Sequence, residues 1–107
     1  MPRTKEKLEH LMTKRARGLL SNDRSKTIPA IAAATESLRG QLPLLSAGHS
    51  AAVVRGNAIA QDTTALNYLN PQKLESQAEI ERSKLSLCLL RDDDFFSLLL
   101  ELLTLNQ

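Results

Sequence analysis

The segment Phe95–Leu105 constrains the fold more than any other part of this sequence. Eight of its eleven residues are large and apolar. On an α-helix, with about 100° between successive residues, its polar residues share one narrow stripe: Ser97, Glu101 and Thr104. The apolar remainder covers an arc of about 220°, whereas an ordinary surface helix needs an apolar stripe of only about 100°. A helix of this kind needs cover on more than one side.

Two arrangements would provide that cover. The segment is either the central helix of its own fold, or it packs one side on another chain. Leaving even three of its side chains in water forgoes roughly 1.5–3 kcal/mol for each. The chain has 107 residues, no Trp, one Tyr and two Phe, so a single domain spanning 1–107 would have a small, mainly aliphatic core. Because association completes a small core, we expect the second arrangement.

The periodicity of the sequence is helical wherever it is clear, and it predicts an all-α fold: a small bundle of four to five helices, completed by oligomerisation. Val53, Val54 and Ile59 also tolerate a strand. The expected helices are a basic one at about 4–20, an Ala-rich one from Thr27 to a left-handed cap at Gly40, one at about 50–69, one from Pro71, and the Leu-rich one at about 93–105. Asp92–Asp94 either cap a separate last helix or lie on the surface of one long helix over 71–105.

The expected contact surface combines the Leu-rich helix with the apolar stripe of the helix before it. That stripe contains Leu74, Ala78, Leu85 and Cys88 at helical spacing. The partner-binding residues predicted on this basis are Phe95, Phe96, Leu98, Leu99, Leu102, Leu103, Leu74 and Leu85. The acidic run Asp92–Asp94 would set the helix register and repel wrong partners.

Charge is unevenly distributed along the sequence. Residues 1–26 contain eight Lys or Arg against three Asp or Glu, whereas residues 58–107 contain four against eight. The two parts can therefore attract each other, within one fold or between subunits. The first helix carries a ridge of possible polyanion-binding residues: Arg3, Lys7, Lys14, Arg15 and Arg17. A solvated polar face and a docking site for an acidic protein surface are the alternative interpretations.

The sequence offers little for catalysis or for holding a cofactor. His10 and His49 lie far apart, and neither has a companion ligand or base nearby. Glycine-rich nucleotide loops and the His-Glu-x-x-His zinc motif are missing. Cys88 has apolar neighbours and is expected as a buried core cysteine. Consecutive aspartates on a helix point about 100° apart, so Asp92–Asp94 do not converge on a metal ion. We expect no enzyme activity, no cofactor and no metal.

Two short motifs in the Leu-rich segment have counterparts in partner-binding proteins. Leu99–Leu103, LLELL, match the Leu-x-x-Leu-Leu box that docks as a helix on nuclear receptors. Residues 92–100, DDDFFSLLL, resemble the opening of GoLoco motifs, which bind G-protein α subunits. That resemblance covers nine residues only, and where such motifs continue with a glutamine and an arginine this sequence has Leu and Thr.

The single cysteine and an N-terminal segment without an apolar run predict a cytoplasmic protein, or a nucleoplasmic one in a eukaryote. The predicted function is that of a non-enzymatic helical protein–protein interaction protein. It would be a small regulator, adaptor or chaperone-like subunit that assembles, as a homodimer or in a hetero-complex, through its C-terminal helix. The alternative is a nucleic-acid-associated regulator of phage or plasmid type, which contacts phosphate through the basic N-terminal helix.

Overall fold

The computed structural model describes residues 4–20, 22–68 and 74–105, with the backbone alone for 74–76. These residues form α-helices and no strand: α1 Lys5–Leu19, α2 Arg24–Arg39, α3 Leu42–Ser46, α4 Ala51–Tyr68, α5 Leu74–Arg91 and α6 Asp93–Leu105. The predicted all-α class is confirmed. The short α3 was not predicted, and it begins where Pro43 occupies a position in its first turn. The expected start of a helix at Pro71 lies outside the described residues.

Local capping chemistry determines where the first two helices begin. Thr4 Oγ1 accepts a hydrogen bond from Lys7 N at 3.2 Å at the start of α1. Asp23 Oδ1 accepts one from Ser25 N at 3.0 Å at the start of α2. Because Asp23 caps it, α2 begins earlier than expected, and Pro29 lies inside the helix rather than in its first turn.

The predicted left-handed cap at Gly40 is wrong. Gly40 has φ −63° and ψ −20°, in the right-handed helical region, and the chain continues almost directly into α3. The positive φ, +92°, belongs instead to Gly48. There, His49 N donates a hydrogen bond to Leu44 O at 2.9 Å and closes the end of α3. The residue that needs glycine therefore follows α3, not α2.

α6 packs against α1, α2 and α5. Its buried side chains are Phe95, Phe96, Leu99, Leu102 and Leu103. α1 covers one side of it with a buried stripe at the helical spacing of four. That stripe consists of Leu8, Met12 and Ala16. Most of the cover that the Leu-rich segment needs therefore comes from its own chain, which was not the arrangement expected.

α1 and α6 run antiparallel. Arg15, late in α1, binds Asp92 immediately before α6. Lys5, at the start of α1, lies in one surface groove with Leu103, near the end of α6. The basic N-terminal part of the chain and the acidic start of α6 therefore attract each other within a single fold.

The described residues of the apolar stripe predicted for α5 differ in burial. Leu85 is half-buried, whereas Ala78 and Cys88 are exposed. The buried positions of α5 are Ser86, Leu87, Leu89 and Leu90. Ser86 faces inward because its hydroxyl donates a hydrogen bond to the buried Asp62 of α4. Ser86 therefore lies on the inward side of α5 together with buried leucines. Cys88 is exposed, so the expected burial of that cysteine is corrected.

Candidate functional site

α5 and α6 are separate helices, and Asp92 divides them. Asp92 Oδ1 accepts a hydrogen bond from Phe95 N at 2.7 Å, as an N-cap does. The Arg15 guanidinium donates twice to the same carboxylate, from Nε to Oδ1 at 3.3 Å and from Nη2 to Oδ2 at 2.8 Å. The hydrogen bonding by Arg15 holds the pKa of Asp92 below its ordinary value. Of the two alternatives for this region, the capped separate helix is the one observed.

A second arginine, Arg55 of α4, binds the same junction. Its Nε donates to Leu90 O at 2.8 Å and its Nη2 donates to Arg91 O, both carbonyls in the last turn of α5. Its Nη1 donates to Asp93, the first residue of α6, and its Cζ lies 5.4 Å from the centroid of the Phe96 ring. A cation beside the carbonyl end of one helix is favourable for that helix dipole. Arg55 therefore holds α5, α6 and α4 together at one point.

The three aspartates of the acidic run have different roles. Asp92 pairs with Arg15 and Asp93 pairs with Arg55. Asp94 is 78% exposed, and its Oδ2 lies 3.6 Å from Arg15 Nη2. Among the described residues, no three His, Cys, Asp or Glu side chains come together as a metal site requires. The run fixes the start of α6 and leaves the Asp94 carboxylate facing solvent.

A buried polar cluster joins α4 to α2 and α5. Asp62 is 8% exposed, and its two carboxylate oxygens accept hydrogen bonds from the hydroxyls of Ser37 and Ser86. Both serines are buried as well. Neither this cluster nor the role of Arg55 was predicted. Asp62 and Arg55 are the two charged residues of α4, and isolated charges in an otherwise uncharged helix are the signal that could have found them.

An open groove, hereafter the α1/α6 groove, runs along the surface between these two helices. It has a volume of about 610 Å³, and its lining includes Leu11, Lys14 and Gly18 from α1 and Asp94, Ser97 and Leu98 from α6. Leu11 and Leu98 are half-buried and provide its apolar surface. A Cβ added to Gly18 would meet no atom of the described residues within 4 Å, so the backbone is open to approach there. The α1 wall is basic and the α6 wall is acidic.

Five of the eight predicted partner-binding residues are buried in the chain's own core. They are Phe95, Phe96, Leu99, Leu102 and Leu103. A folded chain does not offer them to a partner, because α1, α2 and α5 pack against this side of α6. Leu98 lines the α1/α6 groove, Leu85 is half-buried beside α2, and the side chain of Leu74 lies outside the described residues. Of the predicted set, Leu85 and Leu98 are therefore the described residues that stay partly accessible.

In the structure, the residues of both short motifs make contacts within their own chain. Leu99, Leu102 and Leu103, the leucines of the LLELL box, are buried, so docking through them would require α6 to leave the core. The first two aspartates of DDDFFSLLL bind Arg15 and Arg55 of the same chain. Both segments are occupied by intramolecular contacts in the folded protein.

The predicted polyanion-binding residues do not form one uniform ridge. Lys7 and Lys14 are exposed, and neither forms an ion pair with a described residue. Arg17 is half-buried, and its Nε is buried without a hydrogen-bond partner in the described part of the chain. Arg15 binds Asp92, the N-cap of α6, rather than standing free for a polyanion. Arg3 lies outside the described residues. Three cations of the five are therefore left on the outer side of α1.

A second open groove, hereafter the α1 polar groove, follows that outer side of α1 to the start of α2. Its volume is about 790 Å³, and its lining includes the basic residues Lys14, Arg17 and Arg24 together with His10. Glu6 and Glu9 line the same groove and reduce its positive potential. The arrangement resembles a mixed polar surface more than a dedicated anion site.

Comparisons with known proteins identify no relative of this chain. No family model matches it, and no curated protein and no solved structure matches it either. Among helices α1 to α6, none combines the length and the apolar content that crossing a lipid bilayer requires. Surface geometry and charge are the features that bear on its function.

Proposed function

We propose that this chain is a non-enzymatic protein–protein interaction protein, a small regulator, adaptor or chaperone-like subunit, that docks a partner in the α1/α6 groove. The observation that supports the proposal is a pair of half-buried leucines, Leu11 and Leu98, in an open groove between two helices. Hydrophobic grooves of this kind bind the apolar face of an amphipathic helix. The inner face of α6 forms the core, and its outer edge is the surface for assembly.

The shape of the groove suits a helix. A helix laid along the two antiparallel walls would contact both of them at an interaxial distance of about 8–10 Å. Gly18 and Ser97 are small residues on opposite walls, and they permit that approach. Lys14 and Asp94 at the rim would fix the orientation of the partner and steer its encounter more than they would add affinity.

The test of this proposal is the variant Leu98→Asp, which places a carboxylate in the groove. Burying that carboxylate without a partner costs several kcal/mol, so association of the chain, measured by light scattering and sedimentation, should be lost. Far-UV circular dichroism should show nearly unchanged helicity, since Leu98 is half-buried.

The matched control is Leu66→Asp. Leu66 is also a half-buried leucine on a helix, α4, and it does not line the α1/α6 groove. Association that persists in Leu98→Asp, or that is lost equally in both variants, would exclude the groove as the docking surface.

A second candidate function, binding of a nucleic-acid backbone through α1, is favoured by one observation: Lys7, Lys14 and Arg17 have no anionic partner among the described residues. Retention on heparin at low salt that disappears in Lys7→Gln/Lys14→Gln/Arg17→Gln would support it. The control removes three exposed cations from α5 instead: Arg82, Lys84 and Arg91. A chain that ignores heparin at low salt excludes this candidate.

A further inference from the structure

We infer that the partner in the α1/α6 groove is a second copy of this chain, docked about a two-fold axis that runs along the groove. This inference rests on the proposed function and names the partner of the same site. What points to a second copy is the charge of the two walls, which have opposite signs at the same level of the groove.

The antiparallel arrangement of α1 and α6 determines what such an axis brings together. Arg15 Nη2 lies 3.6 Å from Asp94 Oδ2, so this part of α1 is level with the first turn of α6. A two-fold axis parallel to both helices keeps each residue at its own level and exchanges the two walls. Lys14 of one copy then faces Asp94 of the other, and symmetry makes this contact twice.

The charges in these positions are accessible to such pairs. Asp92 satisfies the guanidinium of Arg15 within the chain. Lys14 is exposed and forms no ion pair with a described residue. Asp94 has a longer contact with Arg15, 3.6 Å, and stays 78% exposed. An acidic partner would be attracted by the α1 wall but repelled by the α6 wall. A basic partner would be attracted by the α6 wall but repelled by the α1 wall. A second copy complements both walls at once.

The same axis produces regular helix packing. The α1 of the second copy would lie over α6, parallel to the first α1 and therefore antiparallel to α6. Each helix of the resulting four-helix arrangement has antiparallel neighbours. Leu11 and Leu98 of both copies would meet near the axis, where Gly18 and Ser97 leave room for the backbones to approach. The leucines that one chain leaves half-buried would then be covered.

Complementary charge reversals test this arrangement. Lys14→Glu and Asp94→Lys each place like charges opposite one another at both contacts of a homodimer, so each variant alone should dimerise on the order of tenfold more weakly than the wild type. Mixed in equal amounts, the two variants have opposite charges at both contacts, and a heterodimer of nearly wild-type affinity should form. Sedimentation equilibrium gives the affinities, and native mass spectrometry of one isotope-labelled variant identifies the heterodimer.

The control for these reversals is Lys84→Glu, which changes an exposed lysine on α5 and should leave dimerisation unchanged. A wild-type chain that is monomeric at submillimolar concentration overturns the inference. So do single variants that dimerise like the wild type, and so does a mixture of the two that stays monomeric.

A photo-crosslink from the groove separates failure of this inference from failure of the proposed function. Ser97→benzoylphenylalanine places the crosslinker on the exposed α6 wall, and Thr64→benzoylphenylalanine places it on the exposed side of α4 as a control. A chain-to-chain product from position 97, in purified protein and in the native cell, supports the second copy. Products with other proteins alone overturn the second copy and leave the proposed function standing. No product beyond that of the control overturns both.

Discussion

Removing the Asp62 carboxylate should destabilise the fold far more than the loss of one charge suggests. In Asp62→Ala, Ser37 and Ser86 lose the acceptor that their hydroxyls use. Both serines are at most 5% exposed, so water does not readily replace that acceptor. A buried polar group without a partner costs about 1–3 kcal/mol, and two of them therefore cost about 2–6 kcal/mol. The free energy of unfolding of such a domain is about 5–15 kcal/mol in total.

The converse variant leaves the acid without its donors. Ser37→Ala with Ser86→Ala places the buried carboxylate of Asp62 among apolar groups, and a charged group without partners costs more than a neutral one. The triple variant, with all three residues replaced by Ala, has no polar group left to satisfy. It should therefore be more stable than the sum of the two partial changes predicts, because residues of one hydrogen-bond network do not contribute additively.

Urea unfolding followed by far-UV circular dichroism measures these free energies. The protein concentration has to be held fixed, since the proposed dimerisation would make stability depend on it. Thr64→Ala removes an exposed hydroxyl from the same helix and should change stability by no more than about 0.5 kcal/mol. An Asp62→Ala variant that loses less than about 1 kcal/mol, or a triple variant that loses the full sum, would refute the view that the cluster is a closed hydrogen-bond network.

Three further predictions concern the α5–α6 junction and the surface of α5. Arg15 lowers the pKa of Asp92 in the folded chain. The stability that this carboxylate contributes is therefore complete when the pH is above the ordinary aspartate pKa of about 3.9. It is lost as the pH falls through the lower pKa of the folded state. Melting temperatures in acid should therefore fall more steeply for the wild type than for Asp92→Asn, and parallel curves would show that the pair adds nothing. Arg55→Gln removes the guanidinium that joins three helices, so amide hydrogen exchange at the junction should accelerate; unchanged protection there would argue against that role. Cys88 is free and exposed, so in the native chain it should react with a thiol reagent at nearly the rate of the denatured chain, whereas strong protection would place it in the core after all.

Features with a local cause were predictable from the sequence. The helical class follows from periodicity, and the start of α6 follows from an acidic run whose first member caps the next helix. The location of α6 was not predictable in the same way. Its apolar arc requires cover, but whether α1, α2 and α5 or another chain supplies that cover depends on the packing of segments far apart in sequence. Expecting Phe95 and Leu99 on a contact surface was therefore wrong, while Leu98 lies at the edge that stays accessible.

Buried polar contacts account for the other differences. Hydropathy assigns serines and aspartates to the surface, so no buried role was predicted for Ser86 or Asp62, whereas Cys88 was expected in the core. In the structure Ser86 is buried and donates a hydrogen bond to Asp62, and Cys88 is exposed. The Arg55 contacts to the junction are likewise made with backbone carbonyls, and a pattern of side chains in the sequence does not reveal these partners.

The role of the α1/α6 groove is tested most directly by methyl NMR of the leucine-labelled chain, recorded from dilute to submillimolar concentration. We predict that the methyl signals of Leu11 and Leu98, which line the groove, shift together as the molecular mass doubles. The signals of the buried Leu99 and of Leu66 on α4 should stay in place. Signals of Leu66 that shift while those of Leu11 and Leu98 do not would contradict this assignment, since another surface would then mediate the association.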